Sequence, residues 1–246
     1  MAALPLKGDP MAEFAIPVPP IPLVPVENQA ASFPVHRIYC VGRNFADHAR
    51  EMGMEVDRGT PVFFCKPADA VLPGGGEQPY PSATADLHHE VELVVAIGRD
   101  ASGVIAREDA GHYIYGHALG LDLTRRDLQA AAKAKGLPWD VAKGFDRSAP
   151  ISAIVPKTAR VPDADALLWL SVNGQRRQAA PLSDMVFDVA DILHELSLRF
   201  ELRAGDLVFM GTPAGVAALH PGDRWEAGIE GFATLAGSIA AAAQPL

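Results

Sequence analysis

Cysteine is nearly absent: Cys40 and Cys65 are the only two among 246 residues. A disulfide-stapled scaffold is thereby excluded, and because each lies in an apolar, strand-like run, both are expected to be buried free thiols of a reducing compartment. Long hydrophobic runs are missing as well, so no membrane partner is expected. The first residues lack a basic segment followed by an apolar core and a small-residue cleavage site, and a cytoplasmic protein is expected. Positive charge is in deficit, with 21 Lys and Arg against 30 Asp and Glu and a net charge of -9. That balance argues against a nucleic-acid partner. Two motif classes are absent too. Gly74-Gly75-Gly76 is not followed by the Lys and Ser/Thr of a phosphate loop, and His88-His89-Glu90 has Leu93 where a zinc-protease helix needs its second histidine.

With 49% apolar and 21% charged residues, the chain is of globular composition and long enough to bury a substantial core. Residues 1–31 carry Pro17, Pro19, Pro20, Pro22 and Pro25 and are expected to form an extended arm. Residues 32–246 are expected to form the body. Strands are expected over 37–42, 62–66, 113–123, 151–155, 167–173 and 207–210, with closing strands in 223–239. Asn173-Gly174 reads as a hairpin turn. Helices are expected over 44–52, 107–112, 125–135 and, most clearly amphipathic, 188–200. Strands outnumber helices and connect mostly through hairpins, so the class is α+β with a curled, largely antiparallel sheet.

The stretch from Leu87 to Gly98 alternates polar and apolar residues around Glu90 and Glu92, as a strand with one wet face does. An isolated pair of this kind is most often a solvated face. Here Asp122 closes another apolar run, where a charge is poorly placed without a partner. Glu90, Glu92 and Asp122 therefore read as one metal site, and oxygen-only donors suit Mg²⁺, Mn²⁺ or Ca²⁺ better than zinc. His48 and Glu51 are three apart on the expected 44–52 helix and can touch, an arrangement that suits a water-activating base. Lys143, among aromatic and small residues, is a candidate for partial burial.

Six segments in order carry a resemblance: 41–52, 65–67, 89–93, 121–129, 142–146 and 209–216. Together they resemble the fumarylacetoacetate hydrolase superfamily, and loop residues in 52–81 are similar to its bacterial fumarylpyruvate hydrolases. Phe45 departs from a common Tyr and Ala217 from a common Gly, which puts in question a substrate contact and the freedom of a loop. The resemblance implies a rolled-sheet fold, a homodimer, and a divalent ion, Mg²⁺ first, at Glu90, Glu92 and Asp122. It also implies substrate contacts from Arg126, Gln129, Lys143 and Thr212, and a base made of His48 and Glu51. The expected reaction is hydrolysis of a 2,4-diketo acid, fumarylpyruvate to fumarate and pyruvate, with Arg43 or Arg126 gripping the far carboxylate. The alternatives on the same scaffold are hydrolysis of another acylpyruvate and decarboxylation or tautomerisation of oxaloacetate.

Overall fold

The computed structural model describes residues 14–47 and 59–240. In chain order the first strands are β1 (Leu23–Pro25), β2 (Ser32–Pro34), β3 (Ile38–Gly42), β4 (Val62–Lys66), β5 (Val71–Pro73), β6 (Gly76–Gln78), β7 (Leu87–His88) and β8 (Val91–Ile97). Then come α1 (Ala110–Tyr113), β9 (Ile114–Leu121), β10 (Thr124–Arg125), α2 (Arg126–Ala134), α3 (Asp140–Lys143), β11 (Ala149–Ile151) and β12 (Val155–Pro156). The last part holds β13 (Leu167–Val172), β14 (Gln175–Pro181), α4 (Val189–Ser197), β15 (Leu207–Phe209), β16 (Ala218–Leu219), β17 (Arg224–Ile229) and β18 (Ala233–Ile239).

The largest sheet runs β4-β3-β15-β8-β9-β11-β5, with β12 added against β9. A five-stranded sheet runs β14-β13-β17-β18-β6, and β7 pairs with β10 and β16 in a small third sheet. Pairing is mostly antiparallel, as expected, with parallel contacts at β3–β15, β5–β11 and β6–β18. Each of these parallel pairs joins segments far apart in sequence, which no local turn signal announces. The α+β class with few short helices holds.

Period two decides which core each side chain joins. Leu93, Val95 and Ile97 of β8 face a core shared with Leu168, Leu170, Trp225 and Ala227 of the five-stranded sheet. Val94 and Ala96 face a second core with Ile38, Cys40, Leu207 and Phe209. Every residue of β8 is buried, so the wet face expected of it does not exist: both sides of the strand are covered. The alternation that suggested water instead reports carboxylates entering an interior.

Part of the proline-rich segment is built in. β1 and β2 pair as a hairpin, and Val24, Val26 and Phe33 are buried in the second core. Asn173 and Gly174 both have positive φ, 51° and 77°, and join β13 to β14 as their types predict. In α4, Asp188 caps the N-terminus by accepting from the Asp191 amide at 2.8 Å, while Ile192, Leu193 and Leu196 are buried. Both cysteines are free; Cys40 is buried, but Cys65 is exposed, contrary to expectation. Cys65 sits on β4, the edge strand of its sheet, which leaves it uncovered.

Candidate metal centre

Strand register brings the three carboxylates together. Val91 pairs with Leu121 and Glu92 with Gly120 across β8 and β9, so the residues just outside the ladder, Glu90 and Asp122, face each other. The Asp122 amide donates to the Glu90 carbonyl at 2.8 Å and fixes that meeting point. The strand expected from 87 to 98 is broken there: β7 ends at His88 and β8 starts at Val91. Gln178 holds the break. Its Oε1 accepts from His89 Nδ1 at 2.8 Å and the Val91 amide at 3.2 Å, while its Nε2 donates to Thr212 Oγ1 and the Pro213 carbonyl, both at 2.8 Å. Gln178 was not anticipated, because β14 is otherwise exposed there and nothing in its local sequence marks one glutamine as interior.

One oxygen from each of Glu90, Glu92 and Asp122 lies within 4.8 Å of the others, and all three residues are buried. Glu92 Oε2 accepts from the Gly211 amide at 2.7 Å. Gly211 has φ +95°, and a Cβ there would stand 2.7 Å from Asn44 Cβ, so this close backbone donor requires glycine. Burial pushes the Glu92 carboxyl well above its usual range, and Asp122 and Glu90 push it further.

Cations interleave with the acids. Lys143 Nζ donates to Glu90 Oε2 at 2.8 Å, Asp122 Oδ2 at 2.5 Å and Thr124 Oγ1 at 2.6 Å. Burial opposes the Lys143 ammonium, but Asp122 and Glu90 outweigh it and raise its pKa. Arg126 contacts Glu90 Oε1 through Nη2, donates to Gln129 Oε1 at 2.5 Å through Nη1, and to His88 Nδ1 at 3.3 Å through Nε. Lys66, also unanticipated, is fully buried and lies 2.8 Å from Asp122 Oδ1. Apart from that ion pair, Asp122 Oδ1 is a buried carboxylate oxygen that accepts no hydrogen bond. An all-oxygen donor set, buried, with one such acceptor, fits a hard divalent cation.

Arg43, Arg126, Gln129, Lys133, Lys143 and Thr212 share one narrow pocket, of about 30 Å³, with Glu90 and Glu92. Phe64, Trp139 and Lys143 also border a larger cavity of about 360 Å³. Lys143, which from sequence alone was only a candidate for partial burial, is completely enclosed. His48 and Glu51 lie outside the described residues. Phe45 is buried in the first core and borders a different cavity from the pocket that Glu90 and Glu92 line. Ala217 is not among the residues of positive φ and carries no strain.

A sheet-built α+β scaffold that gathers buried carboxylates at the end of a strand pair, with a buried lysine across them, suits acid-ligated metal chemistry. The chain belongs to the fumarylacetoacetate hydrolase family: residues 37–240 match the model of the fumarylacetoacetate hydrolase C-terminal domain. It is 46% identical over 80% of its length, and 89% of the relative's, to the mitochondrial oxaloacetate tautomerase of Rattus norvegicus. It is 42% identical over 80% of its length, and 90% of the relative's, to the mitochondrial oxaloacetate decarboxylase of Dictyostelium discoideum. Its structure is similar to that of fumarylpyruvate hydrolase from Pseudomonas aeruginosa in complex with Mn²⁺ and pyruvate. The TM-score is 0.88 at 44% identity, over 91% of this chain and 98% of that one.

Proposed function

We propose that this protein is a divalent-metal-dependent hydrolase that cleaves the carbon–carbon bond of a 2,4-diketo acid, with fumarylpyruvate as substrate and fumarate and pyruvate as products. The observation that carries the reading is Lys143: a fully buried ammonium bonded to two of the three clustered carboxylates and opening on the same pocket as Arg126, Gln129 and Thr212. A bound ion, held by Glu90, Glu92 and Asp122 and proposed to be Mg²⁺, would supply a Lewis acid for the vicinal keto and carboxylate oxygens of the substrate.

The chain's own residues do the rest. His48, with Glu51 fixing its tautomer, takes a proton from water, and the oxygen adds to the carbonyl carbon next to the fumaryl chain. The bond from that carbon to the methylene breaks, its electron pair passes to the pyruvyl fragment as an enolate, and protonation at the methylene gives pyruvate. Lys143 Nζ offsets the enolate charge in a site where water does not screen it. Gln129 and Thr212 supply neutral polar contacts along the substrate. Arg126, tied to Glu90, holds that carboxylate in its orientation toward the site.

A second reading, tautomerisation or decarboxylation of oxaloacetate, is favoured by the rat and Dictyostelium relatives. It needs the same enolate stabilisation and no attacking water. A panel of fumarylpyruvate, maleylpyruvate, acetylpyruvate, fumarylacetoacetate and oxaloacetate, with product identification, separates the two. Release of fumarate and pyruvate as the fastest reaction supports the hydrolase; faster enol–keto exchange or carbon dioxide release from oxaloacetate, with no diketo-acid cleavage, assigns the second. Loss of activity in chelator, restored best by Mg²⁺ among Mg²⁺, Mn²⁺ and Ca²⁺, tests the ion. The proposal includes a cytoplasmic homodimer without nucleic-acid or membrane partners, the dimer to be checked by light scattering. Among the described residues no helix is long and apolar enough to cross a membrane.

A further inference from the structure

The pocket beside the carboxylates has an outer end of opposite sign. Arg43, Arg126 and Lys133 all line it. Arg126 and Lys133 are the first and eighth residues of α2, two turns apart on one face. Burial deepens from exposed Arg43 and half-buried Lys133 to fully buried Glu92 and Lys143, so the first two stand at the mouth. Their commitments differ. Arg126 is bound to Glu90, Gln129 and His88. Arg43 and Lys133 have no carboxylate partner among the described residues; Lys133 Nζ instead lies over the Trp139 ring, 4.9 Å from its centroid. Arg43 adopts φ 63°, which a non-glycine residue rarely takes, and the next residue, Asn44, is bonded to the Met210 and Phe187 carbonyls at 2.8 and 3.0 Å. The direction in which Arg43 leaves the chain is therefore imposed by its surroundings. Burial lowers the Lys133 pKa, and repulsion from Arg126 and Arg43 lowers it further. Glu90, within the pocket, attracts Lys133 in the opposite sense, but with no carboxylate bonded to Arg43 or Lys133 among the described residues, these like charges at the mouth form a binding place for an anion.

We infer that Arg43 and Lys133 form a subsite for the far carboxylate of the substrate, and that the protein selects diketo acids with an anionic tail. This rests on the diketo-acid reading and deepens it. The acids and Lys143 at the inner end engage the keto-acid group; a tail reaching outward along the wall formed by the packed rings of Phe64 and Trp139 ends at the two cations, where the arginine fork and the ammonium both favour a carboxylate. The sequence directed this role to Arg126 as well as Arg43. Because Arg126 is engaged with Glu90, Gln129 and His88, the proposal gives the role to Arg43 and Lys133, the latter one of two lysines, with Lys135, in its stretch of the sequence.

The experiment measures kcat/KM for fumarylpyruvate and for acetylpyruvate, which lacks the second carboxylate, in wild type, Lys133→Met, Lys133→Arg and Arg43→Met. The expected result is a preference for fumarylpyruvate that falls about tenfold or more in each Met variant, mostly through KM, and is largely kept in Lys133→Arg. If Lys133 only braces Trp139, Lys133→Met lowers both substrates by the same factor, and that result, or an unchanged preference, overturns the subsite. A wild-type protein that cleaves neither acid overturns the hydrolase reading instead. The subsite is then judged by calorimetric binding of the same two acids, where an equal loss of affinity for both in Lys133→Met overturns it and a selective loss for fumarylpyruvate supports it.

Discussion

Lys66 Nζ stands 2.8 Å from Asp122 Oδ1, and both side chains are fully buried. Lys66 ends β4, and its ammonium also donates to the Leu123 carbonyl at 3.2 Å and to the Lys143 carbonyl. One buried cation thus braces the turn that carries Asp122 and the end of the short helix that carries Lys143. Ser148 Oγ donates to the same Lys143 carbonyl at 3.0 Å.

This pairing changes what removal of an acid should do. Three carboxylates considered alone repel, so deleting Asp122 would relieve strain; with Lys66 and Lys143 against it, deletion leaves two buried ammonium groups short of a counter-charge. Asp122→Ala is expected to lose about 3–5 kcal/mol of stability, the scale of breaking a buried pair from one side. Glu92 is different: its Oε2 accepts from the Gly211 backbone amide, and burial opposes its charge. Glu92→Gln should leave stability unchanged or raised. Both variants should lose Mn²⁺ binding in calorimetry, and urea unfolding of the metal-free proteins should separate them; equal midpoints would contradict the pairing argument.

The separation of hydrolysis from enolate chemistry rests on His48. His48→Ala should slow diketo-acid hydrolysis on the order of a hundredfold to ten-thousandfold, the scale of removing a general base. Decarboxylation of oxaloacetate, which has no attacking water, should fall far less. Parallel assays of the two reactions on one preparation give the ratio, and equal losses with unaltered metal affinity would remove His48 from the role of base.

What was legible in the sequence follows the range of the forces involved. The Glu90-x-Glu92 spacing, the charge closing the Asp122 run, the Asn173-Gly174 turn and the capped apolar stripe of α4 are local signals, and each is seen in the structure. The roles of Lys66 and Gln178 were not legible because their partners lie at least 56 and 34 residues away respectively, and neither residue sits in a local pattern that marks it as interior. The burial of both β8 faces also depends on distant strands: β15 pairs in parallel with β3 and antiparallel with β8, completing a sheet that the five-stranded sheet then covers. Gly120 shows how tight that packing is, since a Cβ there would meet Phe209 Cε1 at 2.6 Å.

The last prediction concerns acid stability and a histidine away from the metal centre. His117 on β9 is 7% exposed, packs edge-on to Phe232 with centroids 6.4 Å apart, and has Nδ1 buried with no hydrogen bond. Burial pushes its pKa from 6.5 down to about 4, and the Lys157 charge adds to the shift. The unfolded chain restores a value of about 6.5. Between those limits the unfolded state binds a proton that the folded state refuses, so stability drops as pH falls from 6.5 toward 4 and this contribution levels off below 4. At pH 5 the loss relative to pH 7 is about 2 kcal/mol from this group. His117→Leu removes the proton site and should unfold in urea with a shallower dependence on pH, by about one proton between pH 6.5 and 4.5, while carboxylate titration remains common to both proteins. Parallel pH dependences for wild type and variant would mean that His117 takes up its proton in the folded state.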